Sequence, residues 1–306
     1  MLWNLEDDEM SMARTIQAAC KVHGISQEEI GGRLFVNSGR DTPLCTAKVK
    51  NGEITILEPV YAEILAQLKA RKIDVLIIDP FVSSHAVTEN DNMAIDAVVK
   101  AWARVADAAN CAILLVHHTR KENGAKITAD SARGGGALIG AVRDCRTLNR
   151  MDEDEAKKLG IDNPRGYFKV QSDKGNFAPA ESAQWYKFES VELNNGTDKR
   201  VGDNVGAVKR WYPQDPLDEV SEDMILQIIT RIAQDDCKYS PQAGDWAGHA
   251  IADILGRNTQ DPKDKTLVGR VLNTLLKSGR ITKITKEDKK DRRKRPYYSV
   301  PESEAS

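Results

Sequence analysis

The chain has 306 residues, 41% hydrophobic and 29% charged, with a formal net charge of −2. These values fit a globular protein and argue against a fibrous or low-complexity chain. No run reaches the roughly 18 apolar residues of a membrane span, and Met1–Glu9 lacks the basic start and apolar stretch of a signal peptide. The five cysteines (Cys20, Cys45, Cys111, Cys145, Cys237) are scattered and form no Cys-x-x-Cys pair. Neither a zinc site nor a disulfide framework is suggested, and a cytoplasmic, reducing compartment is the expectation.

Taken in order, Met1–Leu5 is a short apolar segment ending in the acidic run Glu6–Glu9. Met12, Ile16, Ala19 and Cys20 recur at helical spacing, which predicts a helix capped by Ser11 and running to about His23, stopped by Gly24. Arg33–Asn37 reads as a strand, and Asn51-Gly52 marks a hairpin turn. Ile64, Leu65 and Leu68 predict a helix over Val60–Arg71. Ile73–Ile78 is an apolar strand closed by Asp79-Pro80. Ile95, Val98, Val99, Trp102, Val105 and Ala106 then stripe the most regular helix of the chain. A second apolar strand, Cys111–Val116, closes on His117-His118-Thr119-Arg120-Lys121. Two such strands around a helix read as a βαβ unit of a sheet buried on both faces. In these sheets ligands sit outside the carboxyl ends of the strands, where Asp79 and the two histidines lie.

The polar stretch Lys121–Gly136 has no apolar period and reads as a mobile functional loop. Ala137–Val142 predicts a short helix carrying Arg143. Cys145–Met151, Tyr167–Val170 and Trp185–Phe188 predict strands, and Asp152–Leu159 an exposed helix. Asn194–Pro216 is turn-rich and reads as a linker. Beyond it, three helical stripes (Ile225, Ile228, Ile229, Ile232; Ala247, Ala250, Ile251, Ile254; Val268, Val271, Leu272, Leu275) precede two short strands around a basic turn. Lys283–Arg295 holds eight basic residues against Glu287, Asp288 and Asp291. Three helices and a basic hairpin is the order of a winged-helix domain, whose third helix would enter the major groove while the wing lies on phosphate. The charge run by itself is equally compatible with a solvated loop.

Asp79 at the end of an apolar strand can hold a magnesium ion against a nucleotide; an acid capping the next turn reads the same way. Glu6 ends a neighbouring strand, where a carboxylate could orient an attacking water; it also fits an acidic helix start. His117 or His118 could contact a terminal phosphate, or either could be a satisfied structural residue. Arg143, Arg146 and Lys174 could neutralise transition-state charge from a neighbouring subunit, or pair with Asp144 and Asp173. No Gly-x-x-x-x-Gly-Lys-Ser/Thr occurs anywhere, and Gly134-Gly135-Gly136 is followed by Ala-Leu-Ile rather than Lys-Ser or Lys-Thr.

Trp3-Asn4-Leu5-Glu6-Asp7, Val75-Leu76-Ile77-Ile78-Asp79-Pro80, Val116-His117-His118-Thr119-Arg120-Lys121 and Ser131-Ala132-Arg133-Gly134-Gly135-Gly136-Ala137-Leu138, in that order, resemble the RecA-like ATPases of the RepA hexameric helicase group. The resemblance covers roughly 1–196. It implies an α/β fold over 1–196, a mostly parallel sheet flanked by helices; the turn-rich stretch then makes 197–218 a linker, and the helix-and-hairpin pattern makes 219–302 a small winged helix. The resemblance implies ATP and Mg2+ as cofactors, DNA as partner and a ring, possibly hexameric, of identical chains. By it, Glu6 is the water-polarising glutamate, Asp79 the magnesium-holding acid, His117 or His118 the sensor, and Arg143 the arginine finger. Lys174 falls near the same subunit boundary. Lys121, Lys126 and Arg133 fall in the loop that faces DNA in such rings, and Lys286, Lys290, Arg292, Arg293, Lys294 and Arg295 in the wing. The departure is the missing strand and phosphate-binding loop that precede Glu6 in the family. The expectation is therefore a truncated or split coding sequence, and a chain that as written binds ATP poorly. The alternative is a DNA-binding replication regulator or helicase loader with a vestigial ATPase core.

Overall fold

The computed structural model describes residues 1–119, 126–131, 135–175, 183–218 and 220–301. They form two compact units: Met1–Arg150 with Arg165–Trp211, and Met151–Pro164 with Tyr212–Ser306.

The first unit opens with β1 (Leu2–Asn4), α1 (Glu9–His23), α2 (Gln27–Ile30), β2 (Val36–Ser38), β3 (Ala47–Lys50) and β4 (Glu53–Ile56). It continues with α3 (Glu58–Ala70), β5 (Val75–Asp79), α4 (Asn92–Ala109), β6 (Ala112–Leu115), α5 (Gly135–Ala141) and β7 (Asp144–Arg150). The helix cap falls within the acidic run, at Asp8 rather than at Ser11. Asp8 accepts from the Ser11 backbone N–H at 2.8 Å, so α1 begins at Glu9, two residues before Ser11. The strand expected over Arg33–Asn37 is displaced to Val36–Ser38, where it pairs with β1.

α4 follows the predicted stripe closely. Asp91 accepts from the backbone N–H groups of Met93 and Ala94, and Asn110 ends the helix in the left-handed conformation at φ 52°. Its inner face buries Ile95, Val98, Val99, Trp102 and Val105. Trp102 is 1% exposed and meets the Tyr61 ring of α3 edge-on at 5.1 Å.

β2, β1, β5 and β6 lie side by side in that order, all parallel, giving an α/β layer with helices packed on the sheet. Trp3, Leu76 and Ile78 are buried in its core with α3 and α4. Among the described residues β6 is an edge strand: it pairs only with β5, and Leu114 is 48% exposed. A separate antiparallel sheet runs in the order β10, β9, β8, β7, from β8 (Tyr167–Gly175), β9 (Gln184–Glu192) and β10 (Asn204–Arg210). Residues 204–210, inside the segment read from sequence as linker, pair with β9 over their whole length. Ala18 and Val22 of α1 pack against Val191, Val205 and Ala207 on one face of this sheet.

The second unit contains α6 (Glu153–Leu159), α7 (Glu222–Gln234), α8 (Ala247–Leu255) and α9 (Pro262–Lys277), then the hairpin β11 (Thr282–Glu287) and β12 (Lys294–Ser299). Its core joins the predicted stripes: Ile228, Ile232, Ile251, Val268, Leu272 and Leu275. The hairpin extends further into the basic run than the pattern predicts, because Asp288 turns inward and is 3% exposed. Its carboxylate accepts from Lys238 Nζ at 2.8 Å, from Tyr297 OH at 3.0 Å and from the Lys290 backbone N–H at 2.8 Å. These donors hold the Asp288 carboxyl far below the usual carboxylate range, with the Lys238 hydrogen bond the largest cause. Among the described residues no helix is long and apolar enough to cross a membrane.

Trp102→Ala should leave a cavity between α3 and α4 and destabilise the first unit by about 3–5 kcal/mol. Urea unfolding followed by circular dichroism checks this, with alanine at Tyr212, whose ring is 70% exposed, as the control.

Candidate functional site

The parallel register brings the carboxyl ends of four strands to one edge. Asn4 lies opposite Asp79 across the β1–β5 pair, and the Leu5 backbone N–H donates to the Asp79 carbonyl at 2.6 Å. On the other side of β5, the Val116 N–H donates to the Ile78 carbonyl at 3.0 Å, and the Phe81 N–H donates to the Val116 carbonyl at 2.7 Å. Glu6, Asp79 and His117-His118 therefore leave three adjacent strands at the same edge, as such sheets place ligand-facing residues.

Asn4 shapes the first of these exits. Its side-chain carbonyl accepts from the Glu6 N–H at 2.9 Å and the Asp7 N–H at 2.7 Å, turning the chain immediately after β1. The β2 exit is locked to it. The Gly39 N–H donates to the Asn4 carbonyl at 2.7 Å, Ser38 Oγ donates to the Asp7 carbonyl at 2.9 Å, and Arg40 Nε donates to the Glu6 carbonyl at 2.9 Å. A Cβ at position 39 would lie 2.6 Å from Leu5 Cα, so only glycine permits this approach.

Asp79 is half-buried, and its pKa is raised, first by burial and further by the Glu6 and Asp7 charges; His118 opposes the shift. The acid, its two carboxylate neighbours and one histidine thus share one electrostatic field. Beneath them, the buried Phe81 ring meets His85 edge-on at 4.8 Å and His117 at 6.3 Å. His85 Nδ1 accepts from the Val87 N–H at 3.4 Å, and burial lowers its pKa.

Among the described residues no group of three or more His, Cys, Asp or Glu side chains is arranged to hold a metal by itself. A cation at Asp79 needs most of its oxygens from water and a bound ligand, which is how magnesium is usually held on nucleotides. The sequence contains no glycine–lysine phosphate loop.

Other residues singled out from sequence lie elsewhere. Arg143 is exposed between α5 and β7. Lys174 Nζ donates to the Ile139 and Gly140 carbonyls at 2.6 and 3.2 Å, closing the carboxyl end of α5. Arg146 pairs with Asp144 at 3.0 Å. Lys126 is exposed beside Ile127, whose backbone is held in both directions by the Asn149 side chain. Lys121 and Arg133 fall outside the described residues. In the hairpin, Lys286 and Lys289 both pair with Asp236, and Arg295 pairs with Asp291. Lys290, Arg292, Arg293 and Lys294 are exposed at its turn.

Arg40, Asn4 and Gly39 are the site residues that sequence reasoning missed. The Ser38-Gly39-Arg40 run after a strand was the available signal, but its link to Glu6 crosses 34 residues and exists only through the β1–β2 pairing.

Residues 1–124 match a family model described as an AAA domain. No curated protein matches the chain. Among solved structures, it is similar to a RadB recombinase at 10% identity, covering 61% of this chain and 74% of that one with a TM-score of 0.38. It is similar to a second protein, solved as its ATPase domain, at 13% identity, 61% and 70% coverage and TM-score 0.42. It is also similar to a KaiC-like protein of Pyrococcus horikoshii OT3 at 14% identity, 69% and 74% coverage and TM-score 0.41.

Because the folded protein binds the Asp79 proton more tightly than the unfolded chain, stability falls as pH rises from the unfolded carboxylate range, near 3.9, through the raised folded value. Asp79→Asn should therefore raise Tm at pH 7 by a few degrees, the scale of about 1 kcal/mol or less once solvent screening at a half-buried group is allowed for. The gain should vanish below about pH 4. Thermal melts of both proteins across pH check the sign.

Proposed function

We propose that the chain carries the water-orienting, magnesium-holding half of an ATP-hydrolysing motor that works on DNA, of the helicase or recombinase type found in the RepA group of mobile elements. The observation that carries this reading is the convergence of Glu6, Asp79 and His117-His118 on one edge of a parallel sheet. The match of residues 1–124 to an AAA domain supports it. Magnesium, when bound with ATP, would neutralise charge developing on the transferred phosphoryl group. Asp79 would hold that ion, directly or through water. Glu6, fixed by the Asn4 turn and Arg40, would orient the attacking water. His118, within the field of Asp79, would report the state of the terminal phosphate, with His117 against Phe81 below it.

In this reading Arg143 acts across a subunit boundary in a cytoplasmic ring of identical chains, with Lys174 shaping that boundary through α5. Lys121, Lys126 and Arg133 belong to a DNA-facing loop. The second unit acts as a winged helix, with Lys290, Arg292, Arg293 and Lys294 reaching phosphate while Lys286 and Arg295 brace the hairpin. The second reading, a DNA-binding regulator or loader with a vestigial ATPase core, is favoured by one observation: no glycine–lysine phosphate loop occurs in the sequence.

ATP turnover by the longest in-frame form of the chain separates the two. Glu6→Gln and Asp79→Asn should each lower its rate by about 100-fold or more. Turnover that survives both substitutions would sink the assignment, and absence of turnover in every form favours the regulator.

For the hairpin, Arg292→Ala with Arg293→Ala should weaken binding to duplexes of any sequence alike. It should also reduce the slope of log K against log salt by about 1.8, two phosphate contacts on B-DNA. Titrations at several salt concentrations read both effects.

A further inference from the structure

The antiparallel sheet β10-β9-β8-β7 has a face that the motor reading does not use. α1 covers the side carrying Val191, Val205 and Ala207. The alternation of strand side chains puts Leu148 and Arg150, Phe168, Tyr186 and Phe188, and Arg210 on the other side. An antiparallel sheet with one covered face normally presents polar residues on its open face. Here Leu148 is 58% exposed and Phe188 55% exposed.

The open face is ordered as well as apolar. The strand registers set Arg150 of β7 opposite Phe168 of β8, Phe168 opposite Tyr186 of β9, and Tyr186 opposite Arg210 of β10. One row therefore crosses the whole sheet as arginine, ring, ring, arginine, over about 14 Å at the usual strand spacing. Phe168 and Tyr186 lie stacked with centroids 5.5 Å apart and planes 17° from parallel. Phe188 adds a third ring 5.3 Å from Phe168. The Arg210 guanidinium lies 5.9 Å above the Tyr186 ring. Gln184 Oε1 accepts from Tyr186 OH at 3.0 Å and Arg210 Nη1 at 2.9 Å, fixing ring and guanidinium together. The row itself contains no acid, and the acid of the same β9 face, Glu192, lies four residues beyond Phe188.

We propose that this row is a stacking platform for unpaired nucleotides, with bases on Phe168, Tyr186 and Phe188 and phosphates on Arg150 and Arg210. Rings accept bases without sequence preference, and flanking guanidinia follow the backbone charge; sheets with exposed aromatics bind single strands by this chemistry. The cationic ends argue for an anionic occupant over an apolar protein segment, whose docking would desolvate two charges against hydrocarbon. The platform is distinct from the strand-end site, from the loop at Lys126 and from the basic hairpin, and its test needs no nucleotide hydrolysis.

The test uses the full chain without ATP and a labelled oligothymidylate of about 20 nucleotides, its uridylate counterpart, and a duplex of the same length, followed by fluorescence anisotropy. Phe188→Leu keeps the apolar bulk and removes the ring, and should weaken binding of the single strands about tenfold with little change for the duplex. Phe188→Trp should retain it. Arg150→Ala with Arg210→Ala should reduce the salt slope for the single strand by about 1.4, two phosphates at single-strand charge spacing. Equal affinity of Phe188→Leu and the parent overturns the proposal, as does a loss that is the same for single strand and duplex. A change in sedimentation coefficient on Phe188→Leu also overturns it, because the face is then an interface between copies. The relative affinity for the thymidylate and uridylate probes shows which sugar the platform takes.

Discussion

A single peptide contact, the Leu5 N–H on the Asp79 carbonyl at 2.6 Å, fixes the spacing of the candidate site. It closes the β1–β5 pairing at its carboxyl end, so the two carboxylate-bearing exits cannot slide past one another without breaking the ladder. In a parallel sheet the side-chain period is two, and a slip of one residue would turn Asp79 to the opposite face. The contacts from Gly39, Ser38 and Arg40 then tie β2 to the same point. The candidate site is thus built on backbone pairing between neighbouring strands. The raised pKa of Asp79 is the electrostatic cost of that placement.

The second unit solves a different problem, that of displaying cations on a two-stranded hairpin that has little core of its own. Its solution is to bury one anion. Asp288 gathers Lys238, Tyr297 and a backbone N–H at the base of the turn, while Asp236 gathers Lys286 and Lys289. Part of the basic run is therefore engaged in holding the rest of it out. A count of charges along the sequence overstates the positive surface and says nothing of which residues make it.

The elements that local periodicity specifies were legible in the sequence: the α4 stripe from Ile95 to Val105, the apolar β5 and β6 strands, and the three helices of the second unit. Asp79 and the histidine pair were legible as a locus because apolar strands end abruptly at polar residues. What was not legible depends on contacts across long sequence distances. Residues 204–210 look like turn and linker until they meet β9. Lys174 reads as a subunit-boundary cation or a partner of Asp173 until it finds the α5 carbonyls 34 and 35 residues away. The arginine–aromatic row is invisible in any one strand, because each contributes only one of its members.

The position of β6 at the edge of the parallel sheet, among the described residues, carries a mechanical consequence. An edge strand presents evenly spaced donors and acceptors to whatever pairs with it. In β6 the groups of Ala112 and Val116 face β5, and the Val116 carbonyl anchors Phe81. A chain adding to that edge would pair with the outward groups of Ile113 and Leu115, because Val116 already spends its N–H on Ile78 and its carbonyl on Phe81. The free edge of β6 and the anchor of Phe81 therefore use alternate peptide groups of one strand, and pairing at the first leaves the second intact.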